Sequence, residues 1–330
     1  MKTMKTYLTF ALAAVLLSSC SDDDKVTPQP EGPEYYIPTS AAMDQMFDNS
    51  LASITQNAQF DAEDGITFTS DAGTSLFIPS NCLTLNGDLV SGEVDLEFIE
   101  FYERGAMATS NKPLMGVKPN GDKAALQTGG QFYIQAFQNG EPLIMDCLSS
   151  MTVPADLTNG IENDMTLWTG NMNENGDLEW NEDQPDPDGA GEQEGVFPDI
   201  DSYYVNFNDF GWTNVDRFWS DPRPKTTLQV QVPAGFGFEN SAIYLSYDGE
   251  PNLLAKLDVF DDQANIFSEH YGQIPIGLEM HIIFITEDNG EYRYATQGVT
   301  VQANDLYVID IDDTTTGSLN ELEAEIEALP

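Results

Sequence analysis

Positive charge is what this chain has least of. Its 330 residues hold 12 Lys and Arg against 56 Asp and Glu, a formal net charge of -44 at pH 7. Such a surface repels nucleic-acid phosphates and anionic lipid headgroups, which excludes DNA and RNA as partners. Histidine is scarce as well. His270 and His281 stand eleven residues apart with no carboxylate at motif spacing. No Gly-x-Ser-x-Gly elbow, His-Glu-x-x-His helix, glycine-rich phosphate loop or Cys-x-x-Cys pair occurs, so no catalytic motif can be read and a non-enzymatic chain is expected. Paired carboxylates for glycoside hydrolysis stay open, because 56 acidic residues offer many pairs and the sequence gives none of their separations. Long hydrophobic runs are missing too. The longest, Tyr7 to Leu17, is roughly 11 residues where a membrane-spanning helix needs about 20.

That run has the size of a signal-peptide core, and Lys2 and Lys5 precede it as a short positive region. The quartet Leu17-Ser18-Ser19-Cys20 that closes it resembles the bacterial lipobox. The resemblance implies that residues 1–19 are a signal peptide removed after Cys20 receives acyl chains such as palmitate; an ordinary secretory signal before a coincidental cysteine is the alternative. Several chains on one residue, at about 0.8 kcal/mol per buried CH₂, suffice for stable anchoring. Ser21 resembles the residue after the cysteine in lipoproteins sorted to the outer membrane. The tract Ser21, Asp22, Asp23, Asp24 resembles the acidic export tag of surface lipoproteins in the Bacteroidota, with a solvated tether as the alternative. Together these imply an outer-membrane lipoprotein facing the cell exterior. Removing Lys2 and Lys5 with the signal takes the net charge from -44 to -46.

A hydrophobic fraction of 41% with 11% aromatics is enough for real cores, and the length has room for two domains. Once Cys20 is acylated, Cys82 and Cys147 are left. In an oxidising envelope they either pair, for around 4 kcal/mol in the chain-entropy model, or remain two separate buried thiols. The acidity itself invites relief by salt or calcium, with plain solubility as the simpler account.

After the lipidated cysteine, residues 20–39 carry Pro28, Pro30, Pro33 and Pro38 and read as an extended tether. Met43, Met46, Phe47, Leu51 and Ile54, three and four apart, predict an amphipathic helix capped by Ser40. Beyond it the pattern is strand-like: Ile66 to Thr69, Ser75 to Ile78, Gly92 to Phe98 and Gln131 to Phe137, divided by Asn86-Gly87, Asn120-Gly121 and Asn139-Gly140 turns. A first β-sandwich over 40–180 is expected. Within it Gly73-Thr74-Ser75-Leu76-Phe77-Ile78-Pro79, Val94-Asp95-Leu96 and Leu126-Gln127-Thr128-Gly129-Gly130-Gln131-Phe132 are similar to sandwich modules of Bacteroidota lipoproteins that look like ZU5 domains. The resemblance spans about 59–155. It implies an interaction module with no catalytic residues to carry over.

Residues 181–195 pack Glu, Asp, Pro, Gly and Gln together and read as an acidic linker. A second sandwich is expected over 196–315, and an acidic amphipathic helix over 316–330 built on Leu319, Leu322 and Ile326. The expected fold is all-β, two sandwiches in tandem with a short helix at each end.

Two local patterns suggest ligands. Asn171, Asn173, Asn175, Asp177 and Glu182 follow the spacing of an EF-hand calcium loop, although Asn replaces Asp at its first position and a hairpin turn at Asn175-Gly176 explains the same residues. Asp183, Asp186 and Asp188, or Asp261 and Asp262, offer further oxygens, and solvated loops account for them equally. Trp212, Arg217, Phe218 and Trp219 are candidates for a platform on which a sugar ring stacks, the alternative being core. The functional expectation is a non-catalytic binding or assembly module. A glycan-binding protein or glycoside hydrolase is the alternative.

Overall fold

The computed structural model describes residues 35–173, 176–184 and 194–330. Cys20, the tract Ser21 to Asp24, Asn175, Asp186 and Asp188 lie outside the described residues. The fold is all-β with sandwich-like layers, and Tyr35–Pro330 forms one compact unit.

The largest sheet has eight strands. Its path runs Gln56–Asp61, Glu93–Phe101, Lys123–Gln138, Gly211–Phe218, Thr166–Met172, Leu178–Glu182 and Met115–Val117, with Glu141–Pro142 paired to the long central strand. Met115–Val117 also pairs with Lys123–Ala125, so five of these strands close into a ring. Against the larger sheet packs a five-stranded one in the order Gly195–Pro198, Ser202–Phe207, Ser149–Pro154, Ser75–Ile78, Ile66–Thr69. Phe98, Phe132 and Ile134 meet Leu76, Val153 and Val205 between them, a core set by alternation along the strands of the five-stranded sheet. Asn86 and Gly87 (φ 54° and 89°), and Asn139 and Gly140 (φ 52° and 82°), take the left-handed conformations that two-residue hairpins demand.

A second pair of layers follows. Val259–Asp261, Ile266–Pro275, Lys225–Gln231 and Leu306–Val308 form four strands that face five: Ala255–Lys256, Ser241–Tyr247, Glu279–Asp288, Glu291–Thr300 and Thr315–Gly317. Leu228, Val230 and Phe267 meet Leu245, Ile282 and Phe284 here. The other side of this five-stranded sheet is also covered. Tyr244, Ile283 and Ile285 join Phe101, Trp168 and Trp180 of the eight-stranded sheet in a third core, which is why the run Ile282 to Ile285 has no polar break.

The sheets do not divide where composition suggested. Ser202–Phe207 and Gly211–Phe218 are hydrogen-bonded into the first two sheets, so sheet membership changes after Phe218 and not within 181–195.

Three helices fill the third core. Helix α1, Ser40–Ile54, is capped by Thr39, not Ser40: the Thr39 hydroxyl accepts from the Ala42 N–H at 3.2 Å. Helix α2, Arg104–Thr109, carried no recognised periodicity. Helix α3, Leu319–Glu327, starts at a Ser318–Glu321 capping box and buries Leu322 and Ile326. The acidic tail is therefore core, not appendage. Cys82 and Cys147 form a disulfide with Cα atoms 5.4 Å apart, resolving the sequence's two alternatives.

Candidate functional site

All five lysines among the described residues lie along the seam joining the two pairs of layers. Lys256 and Asp177 form a buried ion pair. Lys123 reaches Glu179 and Asp258, each at 2.7 Å; burial opposes its charge, but these two carboxylates hold its pKa above the ordinary value. The Lys118 ammonium donates to Gln273 Oε1 at 2.7 Å. Lys112 donates to the Ser110 carbonyl at 3.2 Å and sits 5.6 Å over the Trp212 ring, with burial lowering its pKa to about 8. Lys225 helps line a cavity of ≈ 20 Å³ with Lys123, Lys256 and Glu269, room for about one water. Burial pushes the Glu269 carboxyl up to about 7, against the N–H groups of Gln273 and Gly272 that it accepts. At this cavity the seam is a structural clamp, too full to admit more than a water.

The calcium reading is overturned by the same seam. Residues Thr166–Met172 and Leu178–Glu182 are a hairpin, not a loop between helices. In its register Asn171 pairs with Glu179 and Glu182 with Trp168, so Asn171 and Glu182 project from opposite faces. Asp177 is committed to Lys256, and Asn173 donates to Glu179 at 2.6 Å while accepting from the Asp177 N–H. Among the described residues no group of three or more His, Cys, Asp or Glu could hold a metal.

The aromatic platform is also dispersed. Trp212 packs against Tyr133 and Phe101, with ring centroids 5.1 and 6.2 Å away, and Phe218 meets Trp168 edge-on at 5.0 Å. Trp219 turns into another core against Tyr247 at 4.9 Å, and its indole N–H donates to Glu250 at 3.0 Å. Arg217 is held by Gln127 at 2.6 Å and by Asp164 at 3.3 Å. These rings are spent on packing.

Folding does supply a carboxylate to His281 that its neighbours in sequence lacked: its Nδ1 lies 2.9 Å from Asp248. Ser246 stands opposite His281 in the strand register, yet its hydroxyl accepts from the buried Arg104 guanidinium at 2.6 Å. The serine is fully buried, so the three do not form a nucleophile relay. A cleft of ≈ 710 Å³ opens beside Asp95 and Glu97, two residues apart on one strand face and so about 7 Å from each other. Asp95 accepts from Gln59 at 2.7 Å. A general acid must be kept protonated by its surroundings. The carboxyls that burial raises furthest, Asp216 and Glu269, are instead shut inside the protein.

What the body turns outward is the second face of the first five-stranded sheet. Leu76, Ile78, Val153 and Val205 point to the core, which sends Phe77, Ser150, Thr152 and Tyr204 to solvent. Phe197 faces the same way from the neighbouring strand. Phe77, Tyr204 and Phe197 are 47, 47 and 41% exposed, and among the described residues none stacks on another ring. No Asp, Glu, Lys or Arg occupies the outward positions of these paired strands. The signal for this face was strand parity, and it required knowing which partners bury Leu76 and Val205. The four-stranded sheet also shows exposed apolar residues, Val259, Leu306 and Val308, but they are aliphatic.

No family model matches the chain, and no curated protein matches it. Among the described residues no helix is long and apolar enough to cross a membrane.

Proposed function

We propose that this protein is an outer-membrane lipoprotein, anchored through acylated Cys20 and displayed outward, whose body is a non-catalytic binding module. The observation that carries the binding role is the open five-stranded face, where three aromatic rings meet solvent with no charged side chain at the outward positions of its paired strands. Single exposed apolar residues are ordinary, whereas rings grouped on one sheet face are the usual material of an interaction surface. The anchor rests on the leader, the Leu17 to Cys20 quartet and the Asp22 to Asp24 tract. The Cys82–Cys147 disulfide supports an exported chain, since such bonds persist in oxidising compartments.

Protease shaving of intact cells tests the placement. An antibody against residues 225–330 should lose its signal while a periplasmic control protein stays whole. Protection until the outer membrane is broken would reject outward display and turn the search to periplasmic assemblies.

A further inference from the structure

We propose that the outward face of the five-stranded sheet binds a neutral polysaccharide, with Phe77, Tyr204 and Phe197 as its stacking rings. The proposal deepens the binding-module reading and rests on it. Tyr204 and Phe197 are direct register partners on adjacent strands, so their Cβ atoms stand about 5 Å apart. Phe77 lies two strands further over, about 10 Å away in the sheet direction, and two residues along. A ligand that touches all three must be extended and must offer several flat faces.

The ground between the rings is hydroxyl. Ser150 is the register partner of Phe77, and Thr152 of Tyr204, and both side chains are short donors and acceptors. Sugar rings match that pairing of chemistries: their C–H faces pack on aromatic planes while their hydroxyls bond to serine and threonine.

Charge decides against other occupants. A polyanion would meet the field of a chain with net charge -44, and no Lys or Arg stands on the face to hold it. A polycation would be drawn to the chain as a whole, but it would find no carboxylate at the face's outward positions to hold it there. A second copy of this chain would bring the same negative charge, which opposes dimer formation through a face that offers no opposite charge in return. An uncharged, hydroxyl-rich chain suffers none of these penalties.

The test is retention of the purified full chain on a panel of polysaccharides. Cellulose, xylan, mannan, starch and a β-1,3-glucan are the neutral members, alginate the polyanion and chitosan the polycation. Retention on at least one neutral member is expected. Tyr204→Ala and Phe77→Ala should each weaken it by about tenfold, and Leu306→Ala, on the aliphatic face, should not change it. Because the targeted rings are solvent-exposed, unfolding temperatures of the variants should match the parent, which separates lost binding from lost fold.

Retention on no neutral member, or only on alginate or chitosan, would overturn the proposal. So would binding that survives the Phe77→Ala, Tyr204→Ala double variant. A chain shaved from cells but retained on none of the neutral polymers would keep its display and lose this ligand.

Discussion

Asp216 has a carboxyl that the fold accommodates better uncharged. It is fully buried, Oδ2 accepts from Asn214 at 2.7 Å, and Oδ1 has no hydrogen-bond partner among the described residues. Burial raises its pKa well above the ordinary 3.8. A raised folded-state value means that the folded protein holds the proton, so the contribution is present below the unfolded pKa and is lost as pH rises through the folded one. Glu269 acts in the same direction, losing its contribution from its unfolded value of 4.5 upward through about 7, an effect on the order of 3 kcal/mol. Melting temperature should therefore fall between about pH 5 and pH 8, the window that Glu269 sets, with Asp216 acting in the same direction. Asp216→Asn should raise it at the upper end and make little difference at the lower. A profile in which Asp216→Asn melts below the parent at pH 8 would contradict the account. The Lys256–Asp177 pair makes the opposite case, a buried charge that is matched. Asp177→Ala strands the lysine and should cost about 3–5 kcal/mol in denaturant unfolding, more than breaking a more accessible pair such as Arg223–Asp221 would.

Helix α3 shows how an element that reads as a solvated tail becomes core. Its Leu322 and Ile326 are fully buried, and Arg104, itself buried, donates to the carbonyls of Leu329 and Pro330. Gly105 carries the docking from the other side. Its N–H donates to Glu327, and a Cβ there would come within 2.8 Å of that carboxylate and 3.0 Å of the Glu323 carbonyl. Gly105→Ala should push α3 off its seat, seen as faster amide exchange over Leu319–Glu327, and Leu322→Ala should cost about 2–5 kcal/mol. The Gly-Gly pair in Lys123–Gln138 has a comparable local role. Asn214 pairs with Gln131 and Asp216 with Thr128, so the strand bulges at Gly129-Gly130, and Gly130 takes φ 139°, which a side chain would resist. Reducing the Cys82–Cys147 bond should lower stability by around 4 kcal/mol, from the freedom regained by a loop closed over 65 residues.

At the scale of the molecule, a net charge of -44 and an internal seam of lysines belong together. Lys118, Lys123 and Lys256 are placed where they cross-link layers, and most of the excess carboxylates are left to the surface. Backbone bonds cross the seam as well, from Leu114 N–H to Leu254 and from Thr128 N–H to Asn252. One cooperative calorimetric transition is expected for residues 35–330, because neither pair of layers can leave without exposing the third core. Two separated transitions would show that the seam is weaker than its contacts indicate. Screening should raise the melting temperature, and calcium and sodium at equal ionic strength should act alike, since the oxygens of the calcium-like spacing are divided between two faces and an ion pair.

Composition, local turn chemistry and period-two alternation are properties of adjacent residues, and they determined the all-β class, Ile66–Thr69 and Ser75–Ile78 to the residue, and the Asn-Gly hairpins. They also limited the electrostatics, because charge is counted and needs no coordinates. Contacts between residues far apart in the chain were beyond that reach. Only the tertiary structure decided that Trp212, Phe218 and Trp219 are packing while Phe77, Tyr204 and Phe197 are surface, since a ring reads the same whether a neighbouring layer covers it or not. It likewise brought Cys82 to Cys147, Asp177 to Lys256 and Arg104 to the end of α3, across separations of 65, 79 and 225 residues. The physical reason is the same in each case: alternation says which side of a strand is apolar, and only the packing of sheets says what, if anything, lies against it.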